Sequence, residues 1–597
     1  MKKRTTSQFI CLFMICVSMF MACRKNQLFD GFKQEYGLKA DSIRSFSGYN
    51  RLQVSVAIPH QDIVAAKVFW NNRKDSKEIP VTHLTKWPDT VSTIIGPLEE
   101  GDYNFEIITY DAQGKASIPV KTTGTALGER YEATLNNREI TNVYYDDHEV
   151  VIYWGAAESE LLTEVTYTDD NNSIQKRQVP YGKDTTRLIN FKPSGDLSTT
   201  LAYRTGYKPN LAIDTFYANS KTEMVITATL RQLADANNIH FGSLISYGGG
   251  VTHGVIHDGS PNGIYTALCQ SEFNIGQATW GPGRWSKDGP SNFNDVNAVI
   301  NWSRGQYDKV MTMLITGPNN YMPAWFTEGT FTPTEMDDML KDLVEEIMTV
   351  NDNKSKVDVW NVANELFNND GTYRNMKWNE MGWEDDASGL QGTNKVNLKH
   401  PAFVGKAFQY CRDHTDALLE LRDYGIENDD PTDRYYTKYK AFYQLIQHLK
   451  ATNRPIDVVG IQAHMIIGKA ITTGTAENMR GDVPPADYEG LKKAIRKYKD
   501  AGMDVYLTEL DIVSPTPDGQ LQPWTAALAE QQHKDYYNVV KATIEAGVNF
   551  ISLWGLRDNN DPGWRVGQSP LLFDENYKKK PAYYGIQKAF FEAINRP

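Results

Sequence analysis

Cysteine is scarce in this chain of 597 residues, and the few cysteines present cannot build a disulfide framework. Three of the five, Cys11, Cys16 and Cys23, lie near the start, so only Cys269 and Cys411 remain for the rest of the chain. Cysteine and histidine also lack the spacing that is typical of zinc sites. We therefore expect hydrophobic cores to stabilise the protein, with neither a metal nor a cofactor.

An excess of positive charge is also missing. The 62 Lys and Arg residues face 74 Asp and Glu residues, which gives a formal net charge of -12. Nucleic acids and anionic lipid surfaces attract basic proteins, so neither is expected as a partner of the folded chain. Aromatic residues are plentiful at 11%. They fit either rings that stack on sugars or large β cores.

The first residues have the pattern of a targeting segment. Basic residues at positions 2 to 4 precede an apolar run, Phe9 to Ala22, that is too short to span a bilayer comfortably. The run ends at Phe20-Met-Ala-Cys23, which resembles a bacterial lipobox. We predict a lipoprotein signal peptide over residues 1–22 and a lipid on Cys23. The lipid would hold the protein in the cell envelope, at the outer-membrane surface or in the periplasm. A plain cleaved signal peptide, and secretion, is the alternative.

From about Asp30 to Glu223 the chain alternates apolar and polar residues in short runs separated by turn signals. Arg51 to Ile58, Ala65 to Trp70 and Asp102 to Tyr110 are clear examples. This spacing predicts two immunoglobulin- or fibronectin-like β-sandwich modules, residues 23–126 and 127–228.

Two stretches of the first module carry a likeness to a known module that extends across both. The stretches Trp70-Asn-Asn-Arg-Lys-Asp-Ser76 and Leu98-Glu-Glu-Gly-Asp-Tyr-Asn-Phe105 resemble a module of unknown function found in surface lipoproteins of gut Bacteroidetes. The likeness covers most of residues 30 to 225. The modules either bind glycan through exposed rings or serve as spacers whose tryptophans are core; the rings in question are Trp70, Trp87 and Trp154.

Residues 229–597 show a different pattern, in which apolar strands alternate with amphipathic helices. One helix start is clear, because Thr332, Pro333 and Glu335 form a capping box with proline at the first position. Eight strands with helices between them predict a parallel (β/α)₈ barrel, so the fold class is α/β preceded by two all-β modules. The candidate strands are Phe241 to Ile245, Phe273 to Ala278, Val310 to Ile315, Asp358 to Ala363, Ala417 to Leu421, Val458 to Gln462, Val505 to Thr508 and Phe550 to Leu553.

Polar residues cluster where these strands end. In such a barrel the carboxyl ends of the strands carry the reactive groups. Glu365 and Glu509 follow opposite strands of the barrel mouth. Cleavage of a glycosidic bond needs one carboxyl group to protonate the leaving oxygen and another to meet the oxocarbenium-like carbon. The pair therefore predicts a retaining glycoside hydrolase whose carboxyl groups lie roughly 5 Å apart.

An ordered set of segments resembles glycoside hydrolase family 10, the endo-β-1,4-xylanases. The segments are Trp360-Asn-Val-Ala-Asn-Glu365, Val459-Gly-Ile-Gln-Ala-His464, Leu507-Thr-Glu-Leu-Asp511, Leu553-Trp-Gly555, Pro570-Leu-Leu-Phe-Asp574 and Lys580-Pro-Ala-Tyr583. They span nearly all of residues 229–597.

The resemblance implies a role for each matching residue. Glu365 would be the acid/base and Glu509 the nucleophile. Asn364 would bond the 2-hydroxyl of the sugar, and His464, oriented by Asp511, would donate to Glu509. Gln462 is expected to support these groups. Substrate contacts are expected from Trp554, Trp564, Trp280, Asn319, Tyr321 and Trp325.

The likeness fails on the side that would bind the non-reducing sugars. The family pattern Glu-Asn-x-Met-Lys is replaced by residues 279–285, and a His-Thr-Leu-Val-Trp-His segment is replaced by Leu314-Ile-Thr-Gly-Pro-Asn319. Asn361 stands in place of an Asp, and Arg422 in place of an Asn. We expect a monomer that cleaves β-1,4 bonds of a xylan-type polysaccharide. The alternatives are another or a heavily decorated β-glycan, or a non-catalytic glycan-binding lipoprotein.

Overall fold

The computed structural model describes most of the chain after the predicted leader. The described residues are 36–157, 161–245, 263–279, 285–289, 291–313, 315–468, 488–516, 520–558 and 565–594. The predicted signal peptide and Cys23 lie outside them. No helix in these ranges is long and apolar enough to cross a membrane.

The first module is a β-sandwich of two antiparallel sheets, with strand orders β1-β2-β5 and β4-β3-β6-β7. Alternate residues of β2, from Leu52 to Ile58, are buried and meet Val68 and Phe105 of the opposite sheet in one core. The strands are β1 (Ile43–Gly48), β2 (Arg51–Ile58), β3 (Ala65–Trp70), β4 (Asp75–Pro80), β5 (Asp89–Ile95), β6 (Gly101–Tyr110) and β7 (Val120–Ala126).

The second module, after the short helix α1 (Glu129–Glu132), is also a sandwich of antiparallel sheets. One sheet has the order β12-β9-β8, and in the other β13 pairs with β10, β14 and β15 while β11 pairs with β10. The strands are β8 (Ile140–Asp146), β9 (Glu149–Trp154), β10 (Leu161–Thr168), β11 (Ile174–Pro180), β12 (Thr185–Leu188), β13 (Ser198–Tyr207), β14 (Phe216–Tyr217) and β15 (Lys221–Ile226). The two all-β modules predicted from the sequence are confirmed.

The tryptophans of these modules differ in exposure. Trp154 is buried in the second core, where its indole Nε1 donates to Thr186 Oγ1 at 2.9 Å. Trp70 packs at the edge of the first core, and Trp87 is 38% exposed. Trp154 is therefore a core residue, and a glycan-binding role for the other two stays a prediction.

Side-chain contacts join the three units. Asp214 of the second module accepts from Arg51 of the first at 2.6 Å. The ring of Tyr144 in β8 stacks on Tyr584 of the last helix, with centroids 4.1 Å apart. Asp146 and Lys579 form an ion pair of 2.9 Å beside that stack. The second module is thus bonded to the barrel near the carboxyl end of the chain.

The third unit is a closed barrel of eight parallel strands, which confirms the predicted (β/α)₈ fold. The strand order is β23-β22-β19-β18-β17-β16-β26-β25, and pairing of β23 with β25 closes the ring. The strands are β16 (His240–Ile245), β17 (Ile275–Thr279), β18 (Lys309–Met313), β19 (Val359–Asn364), β22 (Leu418–Asp423), β23 (Val458–Ile461), β25 (Asp504–Val513) and β26 (Phe550–Leu553). Three further short strands, β20 (Trp383–Asp385), β21 (Lys399–Pro401) and β24 (His464–Ile466), lie in connecting segments.

Helices cover the outside of the barrel. In α6 the predicted capping box is present: Thr332 and Glu335 bond each other's backbone N–H, with proline at the first position. The helices are α2 (Leu230–Ala236), α3 (Ile264–Glu272), α4 (Asn294–Gln306), α5 (Ala324–Thr327), α6 (Pro333–Thr349), α7 (Asn353–Lys356), α8 (Ala402–His414), α9 (Tyr436–Ala451), α10 (Glu489–Asp500), α11 (Ala526–Glu545) and α12 (Pro581–Ile594).

Two strands run further toward the barrel mouth than their apolar residues indicate. Strand β22 continues to Asp423, two residues beyond the predicted end, and β25 continues to Val513, five residues beyond. Charged side chains in both extensions are buried because they pair with one another inside the barrel. The predicted strands ended before Arg422 in β22 and before Glu509 in β25, because apolar patterning does not continue into these charged extensions.

Candidate active site

Glu365 directly follows β19 and adopts an unusual backbone conformation. Its φ is +53°, a left-handed value that is uncommon for residues other than glycine. A hydrogen bond from its backbone N–H to the carbonyl oxygen of Arg422, 3.0 Å long, holds the chain there. Residues in this region cluster at functional sites, where the surrounding structure stabilises them.

The carboxyl group of Glu365 has surroundings that favour its protonated form. Burial raises its pKa, and the negative charges of Asp423 and Glu509 raise it further. Two donors oppose this shift: Gln462 Nε2 lies 3.2 Å from Glu365 Oε1, and Arg374 Nη2 lies 3.3 Å from Oε2. The net direction is upward, as a general acid requires.

Glu509 lies within β25 and has the opposite surroundings. Its side chain is buried, and each carboxylate oxygen accepts a bond from a separate donor. Arg422 Nη1 donates to Oε1 at 3.0 Å, and His464 Nε2 donates to Oε2 at 3.1 Å. Both oxygens of this carboxyl group are therefore held by charge-assisted hydrogen bonds.

His464 begins β24, which pairs with β25 so that His464 lies opposite Asp511. Its Nδ1 is 3.1 Å from Asp511 Oδ2, while its Nε2 faces Glu509. Burial lowers the pKa of His464, but the charges of Asp511 and Glu509 raise it by more, to about 10. The imidazole is therefore a cation at neutral pH, and it forms an ion pair with each of the two carboxylates.

Gln462 connects the two sides of the mouth. Its side-chain Nε2 donates to Asn364 Oδ1 and to Glu365 Oε1, both at 3.2 Å. Its backbone carbonyl oxygen accepts from the backbone N–H of Glu509 at 3.1 Å. The structure thus brings together the six residues for which catalysis or catalytic support was predicted. Their individual roles stay predictions.

Two aromatic residues border this group. Trp554 follows β26, and its ring meets that of His464 edge-on at 6.1 Å. Tyr321 lies in the turn after β18 and is 42% exposed. Burial raises the pKa of its phenol, and the charges of Glu365 and Glu509 raise it further.

The other predicted substrate contacts have different surroundings. The side-chain oxygen of Asn319 accepts from the backbone N–H of Lys377 at 2.7 Å. Trp325 donates its indole N–H to the carbonyl oxygen of Trp285 at 3.0 Å and packs on that ring. These contacts support the chain around the mouth, so a sugar contact by either residue stays a prediction. Trp280 and Trp564 lie outside the described residues.

Three charged residues near the carboxylates received no role from the sequence. Arg374 contacts Glu365 from the loop after β19, and Glu420 and Arg422 form a buried ion pair within β22. The sequence does contain a pattern that indicates the pair of Glu420 and Arg422. Two charged residues that are two positions apart in the apolar strand Leu418–Asp423 must lie on the same face of that strand. No comparable pattern marks Arg374.

One cluster in the described ranges has potential metal-ligand atoms within 4.8 Å of one another: Asp386, His400 and His448. Its atoms already have hydrogen-bond partners. His400 bonds Tyr373 and Asp386 through its two ring nitrogens, and His448 accepts from the N–H of Ala387 and faces Glu384. Lys395 Nζ also lies 3.2 Å from Asp386, a position that opposes a cation. The cluster is a hydrogen-bonded clamp.

Comparison with known proteins covers the region that holds these residues. Residues 285–589, just over half of the chain, match the sequence model described as glycosyl hydrolase family 10. The chain belongs to glycoside hydrolase family 10. Residues 21–216, across both sandwich modules, match a model described as a domain of unknown function. The predicted glycoside hydrolase is thereby confirmed.

Several family 10 relatives are similar over the barrel. Endo-1,4-beta-xylanase A of Phanerodontia chrysosporium is 27% identical over 61% of this chain and 78% of its own length. Endo-1,4-beta-xylanase B of Thermotoga neapolitana is 25% identical over 61% of this chain and 92% of its own. A solved structure, xylanase 10B from Thermotoga petrophila RKU-1 in complex with xylobiose, is 24% identical, with a TM-score of 0.49 over 62% of this chain and 99% of that chain.

Proposed function

We propose that this family 10 enzyme cleaves internal β-1,4 bonds of a xylan-type polysaccharide with retention of configuration. The observation that carries the proposal is the contrast between two carboxyl groups at one barrel mouth. Glu365 is partly buried and its pKa is raised, while Glu509 accepts from two charged donors. Double displacement requires one carboxyl group that protonates the leaving oxygen and a second that attacks the anomeric carbon.

The first step forms a covalent glycosyl-enzyme. A Glu509 oxygen attacks the anomeric carbon, the glycosidic C–O bond breaks, and the proton of Glu365 moves to the departing oxygen. Each carboxylate oxygen has two lone-pair directions, so Glu509 can accept a hydrogen bond and still attack. Asn364, held by Gln462, would bond the 2-hydroxyl of the sugar.

The second step returns both groups to their starting states. Glu365, now ionised, takes a proton from a water molecule that attacks the anomeric carbon. The bond to Glu509 breaks, and its electron pair returns to the carboxylate. Hydrogen bonds from Arg422 and His464 would then stabilise the negative charge on that carboxylate. Tyr321 and Trp554 border the pocket in which the sugar would lie.

The polysaccharide is assigned from the relatives, whose names state an action on 1,4-β-xylan. The sequence departs from the family pattern at residues 279–285 and at Leu314 to Asn319, where the non-reducing sugars would bind. A decorated xylan is therefore included among the substrates to be tested. A product screen on plain and substituted xylans, with other β-glycans as comparison, would identify the preferred chain and the endo mode.

We also propose that a lipid on Cys23 holds the enzyme in the cell envelope. Support comes from the basic start, the short apolar run and the Phe20-Met-Ala-Cys23 sequence. The sandwich modules would then lie between the anchor and the barrel.

Substitution of each glutamate tests the roles. We expect Glu509→Ala to lower kcat on xylan by at least ~10⁴-fold, because no group remains to form the covalent intermediate. Glu365→Ala should spare aryl xylobiosides with good leaving groups, which need no acid, and added azide should then give a β-glycosyl azide. Glu545→Ala on α11 is the control. Full activity of Glu509→Ala would contradict the assignment.

A further inference from the structure

Arg422 is a buried cation beneath the proposed nucleophile. The guanidinium forms a two-point bond with Glu420, with Nε to Oε1 at 2.7 Å and Nη2 to Oε2 at 2.8 Å. Its remaining nitrogen, Nη1, donates to Glu509 Oε1 at 3.0 Å. Both Arg422 and Glu420 are fully buried. The fork geometry of the pair fixes the direction of the bond to Glu509.

The surroundings keep this guanidinium charged. Burial lowers the pKa of Arg422, but the negative charges of Glu420 and Glu509 raise it by more. The neighbouring strand leaves room for the pair, since a Cβ on Gly460 would overlap the Glu420 carboxylate.

A cation at this position acts differently on the two half-reactions. In the first step the charge of Glu509 disperses into the new C–O bond, so the bond from Arg422 weakens as the transition state forms. In the second step that C–O bond breaks and its electron pair returns to Glu509, so the bond from Arg422 strengthens. Only interactions that strengthen toward the transition state accelerate a step.

We propose that Arg422 is a positioning residue that stabilises the negative charge returning to Glu509 and thereby speeds the second half-reaction, hydrolysis of the glycosyl-enzyme, so far that this step does not limit turnover. Water supplies the oxygen of the new bond, its proton goes to Glu365, and the carboxylate of Glu509 is the leaving group. The inference rests on the proposed double displacement with Glu509 as nucleophile.

The unmodified enzyme provides the first test. With 2,4-dinitrophenyl β-xylobioside the first step is fast, so any slow second step appears as a burst of dinitrophenolate. We expect no burst, and kcat should keep rising as the leaving group improves. A burst in the unmodified enzyme would overturn the inference. An enzyme that hydrolyses neither this substrate nor xylan would instead contradict the proposed function.

The second test removes the cation without leaving an unpaired buried charge. We expect Arg422→Gln combined with Glu420→Gln to show a burst, a kcat at least about tenfold lower, and a lower KM, because the covalent intermediate accumulates. Arg422→Lys, which keeps the positive charge, should recover much of the lost kcat. A merely structural role would lower kcat/KM without a burst, and that result would refute the proposal.

A matched control changes two charges to amides elsewhere. Lys492→Gln with Glu545→Gln removes an ion pair of 3.1 Å between α10 and α11. It should retain the kcat, KM and lack of burst of the unmodified enzyme. If the Arg422 and Glu420 double variant fails to fold, the burst measurement on the unmodified enzyme and the Arg422→Lys kinetics decide the question.

Discussion

At the scale of single residues, each of the two proposed catalytic glutamates has an arginine beside it, but the two arginines differ in burial. Arg422 is fully buried, whereas Arg374 is 27% exposed and also reaches the hydroxyl of Tyr424 at 3.0 Å. Arg374 opposes the upward shift of the pKa of Glu365. It therefore influences the pH at which the acid loses its proton.

Replacement of Arg374 should extend activity to higher pH. Burial and two nearby negative charges already raise the pKa of Glu365, and Arg374→Met removes the opposing cation. The protonated acid then persists at higher pH, so the basic limb of kcat/KM should move upward for xylan and for poor leaving groups.

Substrates that need no acid provide the comparison for this pH dependence of kcat/KM. Dinitrophenyl substrates, which need no acid, should show no such movement, and Arg434→Met is a control that removes an exposed arginine near the same face. A basic limb that stays in place or moves to lower pH would show that Arg374 does not act on Glu365.

Sequence reasoning located part of this site for a physical reason. Glu365, Gln462 and His464 lie just beyond the ends of β19 and β23, and Glu509 lies inside β25 where that strand approaches the mouth. The barrel brings the mouth ends of its strands together whatever the loops do. Arg374 lies in a loop whose path depends on packing, so its contact with Glu365 has no counterpart in residue spacing.

At the scale of elements, a buried cluster of two histidines joins the connection between β19 and α8 to helix α9. Strands β20 and β21 pair within it, and His400 packs on His448 of α9 with ring centroids 4.3 Å apart. Strands of three residues are too short to show alternation, so the sequence did not predict them. The clamp fixes this connection against the outer helix.

Acid should weaken this clamp. Burial lowers the pKa of His400 to about 4, from the ordinary histidine value of 6.5. Between these pH values the unfolded chain binds a proton that the folded chain does not, so stability should fall as pH drops from about 6.5 to about 4. The loss should be on the order of 2–3 kcal/mol.

Thermal unfolding measured across that pH range checks this expectation. His400→Gln should flatten the dependence of Tm on pH, even if its Tm is lower throughout, while His414→Gln should leave the slope unchanged. An equal slope in the unmodified enzyme and in His400→Gln would exclude His400 as the source.

At the scale of the whole molecule, the periodic patterns of apolar residues predicted the architecture of each unit, but they did not predict how the units contact one another. Alternation with period two predicted both sandwiches, and strands alternating with helices predicted the barrel. The contacts that join the units depend on a few side chains, such as Tyr144 on Tyr584 and Arg51 with Asp214. No periodicity marks residues of that kind, so the sequence did not reveal them.

The anchor proposal makes a prediction at this scale. Cys23→Ala should move the enzyme from the membrane pellet to the soluble fraction, because the lipid can no longer attach. Its kcat on soluble xylan should stay within about twofold, since the site lies in a separate unit. Mass spectrometry of the mature amino terminus checks the lipid directly, and an unchanged membrane fraction would contradict the anchor.

The buried pair of Glu420 and Arg422 has a consequence for the order in which mutations can accumulate. An arginine gained before Glu420 would be a buried cation paired with Glu509 alone and without its two-point partner, and a glutamate gained before the arginine would be a buried anion without that partner. Any side chain at position 460 would collide with the glutamate. Any single substitution that begins or ends this arrangement should therefore lower the stability of the protein. We expect the residues at positions 420, 422 and 460 to change together among relatives.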